Sequence, residues 1–387
     1  MKVLFISPSF YPATHYGGPT IVNRGLCESL AKQEGLEIEV LTTDADGPSR
    51  MIGDAWSSKQ RYSVIYSPRR CKPDIAPSLL WRLAGMIRRT DVVHLNGVYS
   101  FTTLPTLALC YLLRKPVVWS THGALQRWEG TRRASSKRFW ERLCDLLCEA
   151  DRVVLHTTGV QEQSESQSRM QNVSCIVLPY GVDTPELKHD KKSEPHPLRL
   201  LFLGRLHPIK GLENLLQALT LANEKATLAI CGKGEATYES HLRSLAGDLK
   251  LGNRVRFLGR VEGSAREQQF READVCVVPS FKESFGAVVG ESLARGVPVI
   301  AGEGAPWERV EEQGCGLWVS NEPRELARAI DRMAKMPLGT MGLRGRAWME
   351  QEFSWAQVAR EMIGEYERLL QVQTGKRADI LHSPKTA

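Results

Sequence analysis

The feature that most constrains this fold is one stretch, residues 275–301. Val275 to Val278 is an unbroken apolar run of strand length. A loop follows, and then Val288, Val289, Leu293 and Ala294 recur at helical spacing until Gly296, a residue suited to ending a helix. Val297 to Ala301 begins a second apolar run. Strand, helix and strand joined this tightly form a crossover between parallel strands, which are buried on both faces and so read as continuous apolar runs. The rhythm recurs. Strands are predicted at Lys2–Ser7, Glu37–Thr43, Val64–Tyr66, Asp91–Leu95, Pro116–Ser120, Val153–His156 and Ile176–Leu178, with helices near 20–32, 79–89 and 104–113. It resumes with strands at Arg199–Leu203, Thr227–Cys231 and Val255–Gly259 and a helix carrying Leu212, Leu215, Leu216 and Leu219. The prediction is α/β, with doubly wound sheets. A chain of 387 residues is too long for one ordinary core and fits two domains. They are placed at 1–183 and 198–353, joined by a polar, Pro-rich linker at 184–197, with a helix over 354–372 and a polar tail, 374–387, expected to be disordered.

Composition excludes several classes. Apolar residues make up 42% and charged residues 25%, which suits a globular chain and not a disordered one. No apolar run has the length of a membrane span. The opening Met1–Ser7 is too short for a signal-peptide core and reads as the first strand. The nine cysteines include no C-x-x-C pair, and no metal-ligand set is expected; they read as small buried hydrophobes in a reducing compartment. Residues 1–180 hold 22 Lys plus Arg against 16 Asp plus Glu, most of the net +7. That excess is too small, and too poor in aromatic interleaving, to indicate nucleic acid. The densest basic stretch holds Arg127, Arg132, Arg133, Lys137, Arg138 and Arg142. It is either a solvated face or a contact for anionic lipid. Its helix is expected to bury Phe139, Leu143, Leu146, Leu147 and Ala150 and to expose Trp140.

Chemistry concentrates at Glu283 and Glu291, one on the strand-to-helix loop and one on the helix. Carboxylates at the carboxyl ends of parallel strands can accept pairs of hydrogen bonds from vicinal diols; they can also merely complement a helix N-terminus. Pro279, Ser280, Glu283, Phe285, Gly286, Glu291, Ser292, Gly296 and Pro298 stand in the order P-S-x-x-E-x-F-G, E-S-x-x-x-G-x-P. This resembles the donor-site signature of the retaining glycosyltransferases of family 4, which have the GT-B fold of two Rossmann-like domains facing across a cleft. Gly204-Arg205 and Lys210-Gly211 match the same family's G-R-x-x-x-x-K-G motif, and the likeness covers nearly the whole chain.

The resemblance assigns roles. Glu283 would meet the donor sugar and Glu291 the ribose diol. The Ser284, Phe285 and Gly286 loop, with Gly204, Arg205 and Lys210, would face the diphosphate, where Arg205 and Lys210 stabilise the leaving group. Gly17 and Gly18, between the first strand and first helix, would let backbone approach phosphate; His15 and Tyr16 stand where glycogen synthases carry a Lys. His94 and His122 both fall at predicted strand ends, and the Thr121-His122-Gly123 turn resembles the acceptor-side motif, so Arg205, Lys210, Glu283 and His122 are the catalytic candidates. Pro179-Tyr180-Gly181-Val182-Asp183 resembles the turn that leaves the first domain, with Tyr where Asn is usual. The first domain would bind the acceptor, the second the nucleotide-sugar, and the helix over 354–372 would return to brace the first.

The implied activity is transfer of a sugar from a UDP- or GDP-linked donor, as substrate and with no cofactor, to a hydroxyl of a glycan or lipid-linked acceptor. Surface polysaccharide or lipopolysaccharide assembly, a cytoplasmic location and contact with the inner membrane face are implied with it. No Asp-x-Asp metal motif is expected, so the cations Arg205 and Lys210 replace a metal in this reading. A GT-B sugar-nucleotide 2-epimerase and a non-catalytic nucleotide-sugar-binding subunit stay open as alternatives.

Overall fold

The computed structural model describes residues 1–13, 15, 17–47, 51–52, 61–70, 75–127, 134–187, 196–223 and 225–373. Tyr16, Arg132, Arg133, most of the expected linker and the 374–387 tail lie outside them. The chain forms two compact units, Met1–Gly181 with the chain from Trp355 onward, and Val182–Ser354.

The first unit begins β1 (Lys2–Ile6), α1 (Gly18–Leu30), β2 (Glu37–Thr43), β3 (Ser63–Ser67), α2 (Pro77–Arg88) and β4 (Val92–Asn96). It continues α3 (Thr103–Leu113), β5 (Val117–Ser120), α4 (Ala134–Asp145), β6 (Val153–Thr157), α5 (Val160–Gln167) and β7 (Ser174–Val177). All seven strands are parallel, in the order β3-β2-β1-β4-β5-β6-β7. Right-handed crossovers therefore put α1 on one face and α2 to α5 on the other. The cores agree: Leu79 and Leu83 of α2, Leu107 of α3 and Cys144 of α4 share one cluster, while Leu26 and Leu30 of α1 belong to another.

On α4 the structure corrects the expected buried face. Cys144 and Cys148 are buried, Trp140 and Leu147 pack against the same core, and the Trp140 indole N–H donates to the Val98 carbonyl at 2.8 Å. Phe139 and Leu146 are exposed. Trp140 and Cys144 lie one turn apart on α4, and Leu147 and Cys148 follow in the turn after it, so the buried side is turned by one residue from the one read in the sequence. His94 is corrected as well. It sits inside β4, fully buried and stacked on Phe5, and not at the strand end.

The second unit runs β8 (Leu198–Leu203), α6 (Leu212–Leu221), β9 (Ala226–Cys231), α7 (Ala236–Asp248), β10 (Val255–Gly259) and α8 (Gly263–Glu272). Then come β11 (Val275–Val278), α9 (Ala287–Ala294), β12 (Val299–Gly302), β13 (Gly316–Val319), α10 (Pro323–Met333) and α11 (Leu338–Glu352). Its parallel sheet has the order β10-β9-β8-β11-β12-β13. Leu215, Leu216 and Leu219 of α6 are fully buried, each worth about 1.5–3 kcal/mol of transfer from water. Strand order reverses between β8 and β11, the switch point where loops diverge and leave a crevice.

The last helix, α12 (Trp355–Gln373), belongs to the first unit. Trp355 lodges between Gly25 and Gly181; a Cβ on either would lie 2.3 Å from the indole. Ser29 donates to the Trp355 carbonyl at 2.9 Å, and Tyr366 is fully buried beside α1. Eight described cysteines are unpaired, and all but Cys175 are buried.

Candidate functional site

The second unit assembles its chemistry at the switch point. The loop after β8 brings Lys210 to Glu283, which the loop after β11 supplies, with Nζ 2.5 Å from Oε1. Ser280 Oγ donates to the same oxygen at 2.7 Å. Backbone ties hold the two loops together: Phe281 N–H donates to the Ile209 carbonyl at 2.9 Å. Gly211 makes this approach possible. Its φ is 66°, and a Cβ there would lie 2.1 Å from the Pro279 carbonyl oxygen. Glu283 N–H in turn donates to Gly304 O at 2.8 Å, tying the loop to the one after β12. Arg205 is exposed on the β8 loop, and among the described residues no hydrogen bond or ion pair engages it. Gly204 sits at the root of that loop, its N–H donating to the Cys231 carbonyl at 2.9 Å.

Glu291 lies on α9 and is ion-paired with Arg266 of α8. Arg295 fixes α8 to α9. Its guanidinium donates to both oxygens of Glu267, at 2.8 and 2.6 Å, and to the Glu291 carbonyl at 3.0 Å. Those hydrogen bonds hold the Glu267 carboxyl below the usual carboxylate range. The pair with Arg266 orients the Glu291 side chain.

Ser284, Phe285 and Gly286 form the turn into α9, with Gly286 at φ 74° as its N-cap. Sequence reading missed what holds this turn. Trp307 is buried, its ring stacked on Phe353 at 5.2 Å and edge-on to Trp348 at 5.7 Å, and its indole N–H donates to the Phe285 carbonyl. In a trans peptide the carbonyl and the next N–H point opposite ways. With the Phe285 oxygen held inward, the Gly286 N–H is aimed away from Trp307. The only signal was Trp307 in the loop after β12, among Gly304, Ala305 and Pro306, where a large aromatic is unusual enough to suggest packing.

In the first unit, Gly17 is the N-cap of α1 at φ 76° and Gly18 its first residue, and the space beside both is open. His122 follows β5 at φ 50°. Its Nε2 is 3.0 Å from Asn96 Oδ1 and its Nδ1 is 2.6 Å from the Tyr180 hydroxyl. The amide oxygen can only accept, so Nε2 carries the proton and Tyr180 donates to Nδ1. Tyr180, the departure from the family's turn, therefore has a partner that explains it. Burial pushes the His122 pKa down to about 3, so the ring is neutral at ordinary pH. Glu162 holds the turn from beneath. One carboxylate oxygen accepts from Thr121 Oγ1 at 2.9 Å and Gly123 N–H at 2.6 Å. The other accepts from Thr158 N–H and Oγ1 at 2.8 and 2.7 Å.

Asp44-Ala45-Asp46 does have Asp-x-Asp spacing, at the end of β2. Both side chains serve the backbone: Asp44 accepts from Arg69 N–H at 2.8 Å and Asp46 from His15 N–H at 2.9 Å. Among the described residues no three His, Cys, Asp or Glu side chains are grouped as metal ligands.

Residues 16–186 match the family model described as Glycosyltransferase Family 4, and residues 197–336 the model described as Glycosyl transferases group 1. A D-inositol 3-phosphate glycosyltransferase of Actinosynnema mirum is 30% identical over 397 residues, covering 93% of this chain and 94% of that protein. Among solved structures, sucrose-phosphate synthase from Thermosynechococcus elongatus superposes with a TM-score of 0.73 at 22% identity, over 95% of this chain and 98% of that one. Anabaena HepE in complex with UDP gives 0.72 at 19% identity, over 95% and 100%.

Proposed function

The chain belongs to glycosyltransferase family 4 and has the GT-B fold, and from that premise we propose that it moves a sugar from a UDP- or GDP-linked donor to a hydroxyl of a glycan or lipid-linked acceptor, with retention at the anomeric carbon. The observation that carries the reading is the Lys210–Glu283 pair at the switch point of the second sheet. A diphosphate leaving group requires cations, and a sugar requires a carboxylate beside them. Arg205 and Lys210 supply the first and Glu283 the second. Glu291, oriented by Arg266, is proposed to hold the ribose diol, and the Gly286 amide to point at the diphosphate. Retention without a second carboxylate poised as nucleophile fits reaction on one face, with the departing diphosphate taking the acceptor's proton. His122 sits on the acceptor side as a fixed neutral ring. We place the pathway in surface polysaccharide or lipopolysaccharide assembly on the inner side of the membrane, and turnover is expected to persist in EDTA.

The test is calorimetry with nucleoside diphosphate beside a transfer assay. Glu291→Gln is expected to weaken nucleotide affinity, because the ribose contact is made before and during reaction alike. Glu283→Gln should keep that affinity within about threefold, under roughly 1 kcal/mol, yet be severely slowed, because its contact strengthens as the sugar flattens. If Glu283→Gln is the variant that loses nucleotide, the two roles are exchanged. Donor hydrolysis or transfer of label from donor to acceptor would exclude the non-catalytic reading, and a sugar released with changed configuration at C2 would favour the epimerase.

Trp307→Phe keeps an aromatic ring in the cluster and removes the N–H. Affinity for nucleoside diphosphate is expected to drop by roughly threefold to tenfold, the worth of about one hydrogen bond. Unchanged affinity would mean that packing alone orients the Phe285–Gly286 peptide.

A further inference from the structure

The loops after β8, β11, β12 and β13 meet at the carboxyl end of the second sheet, and Asn321 joins three of them. It lies in the loop after β13, the edge strand, yet its side chain reaches past β12 to the end of β11. There its Nδ2 donates to the Pro279 carbonyl. Its Oδ1 and its backbone carbonyl both accept from Asn214 Nδ2, at 2.7 and 2.8 Å. Asn214 stands in the first turn of α6, the helix that follows Lys210 and Gly211. Pro279 precedes Ser280, whose hydroxyl donates to Glu283. The three groups crowd one point: a Cβ on Gly211 would lie 2.1 Å from the Pro279 carbonyl oxygen and 2.6 Å from Asn321 Nδ2. The loops that carry Lys210 and Glu283 are thus clamped at their roots by a side chain that belongs to neither.

The neighbours fix the direction of the amide. A carbonyl oxygen can only accept, so Nδ2 faces Pro279, and Oδ1 faces Asn214, which donates. The hydrogen bonds run one way, from Asn214 to Asn321 to Pro279. Turn chemistry alone does not ask for an amide, because Asp serves turns as Asn does. A carboxylate at 321 would still accept from Asn214 but would set oxygen against oxygen at Pro279.

We propose that Asn321 is a positioning residue for sugar transfer. It holds the Lys210 ammonium and the Glu283 carboxylate, 2.5 Å apart, where the departing diphosphate and the sugar need them. It acts through the backbone of their loops. Charges carried on loops stabilise a transition state best when they are fixed beforehand, and a displacement of about 1 Å can cost about a hundredfold in rate. The inference rests on the donor-site reading of the Lys210–Glu283 pair and extends it to the device that sets the pair.

The experiment is a double-mutant cycle on the full chain, read in kcat beside calorimetry. Turnover is the nucleoside diphosphate released from UDP-glucose, UDP-galactose or GDP-mannose, using the donor on which the wild-type chain is fastest. Asn321→Asp should lower kcat by at least about tenfold. Affinity for the nucleoside diphosphate should fall by less than about threefold, since Glu291, on α9 and outside the clamp, is assigned the ribose. In a Lys210→Ala background the same change should cost less than about twofold, because the cation it places is gone. Asn214→Asp should reproduce the loss: the Asn321 amide would turn to donate to it and leave Oδ1 facing Pro279. Asn321→Ser removes the tie without adding a charge and replaces the aspartate variant in the cycle if that one does not fold. Unchanged kcat in Asn321→Asp beside a slow Lys210→Ala overturns the proposal and leaves the donor-site reading standing. Equal losses with and without Lys210, the mark of a merely structural tie, overturn it too. Normal turnover in Lys210→Ala strikes the donor-site reading itself, and this proposal with it.

Discussion

Replacing Arg205 with alanine is expected to slow transfer by a factor of about a hundred or more, a loss of roughly 3 kcal/mol of transition-state stabilisation, with no change in thermal midpoint. Lys210→Ala should slow it as much but should also cost stability. The difference lies in what each cation does in the resting protein. Lys210 is already balanced by Glu283, whose side chain is 14% exposed. Removing it leaves that carboxylate with Ser280 alone and costs roughly 1–3 kcal/mol. Arg205 is exposed, and among the described residues no ion pair engages it, so its charge is free for an incoming diphosphate. Lys210→Arg keeps the charge but not the geometry of a 2.5 Å contact, and is expected to rescue stability better than rate. Stopped-time transfer assays beside thermal melts separate the two effects. If both alanine variants turn over normally, the diphosphate does not sit where these loops meet.

Why these residues were legible in the sequence, and others were not, follows from the distance over which each acts. Lys210 and Glu283 stand in local patterns, each a strand-to-helix loop whose spacing survives without the fold. The sheet brings them together because the switch point falls between β8 and β11, and an alternating βα chain makes such a point somewhere. Trp307 and Arg266 act on groups 22 and 25 residues away, and no spacing rule connects them. The outer face of α4 was misread for a different reason. Phe139, Leu143 and Leu146 are the larger apolar side chains by sequence, yet Cys144 and Cys148 are the buried ones, with Trp140 and Leu147 packed beside them. His94 reads as lying at the end of a strand predicted over Asp91–Leu95. β4 in fact continues to Asn96, and partners from three other segments make the buried imidazole tolerable there.

Those partners give the last expectation, that the first unit is acid-labile in a window set by histidine. His156 Nε2 lies 2.8 Å from the Leu178 carbonyl, which can only accept, so Nε2 is protonated and Nδ1 accepts from Ser120. Ser120 Oγ, having donated, accepts from His94 Nε2 at 2.7 Å, and His94 Nδ1 accepts from the Tyr366 hydroxyl of α12 at 2.6 Å. Every proton in this chain has one direction, and both rings are neutral. A proton added to either would leave a buried hydroxyl hydrogen without an acceptor and a buried charge with no ion-pair partner; Glu162, the carboxylate that acts on His156, is already taken by four hydrogen bonds. Burial accordingly lowers the pKa of His94 far below its usual value, lowers that of His156, and brings His122 to about 3. In the unfolded chain all three titrate near about 6.5. Their contribution to stability is thus complete above that value and is lost as pH falls below it, because the unfolded state then binds up to three more protons. The slope reaches about 4 kcal/mol per pH unit at most, large against a domain stability of roughly 5–15 kcal/mol. Urea melts between neutral pH and pH about 4.5 should show this decline, and His94→Gln should remove about one proton from the slope while lowering stability at neutral pH. Because Tyr366 ends the chain of hydrogen bonds, loss of α12 from the sheet is expected to accompany the transition. A flat stability profile from pH about 6.5 to 5 would show that these histidines take up protons in the folded protein as readily as in the unfolded one.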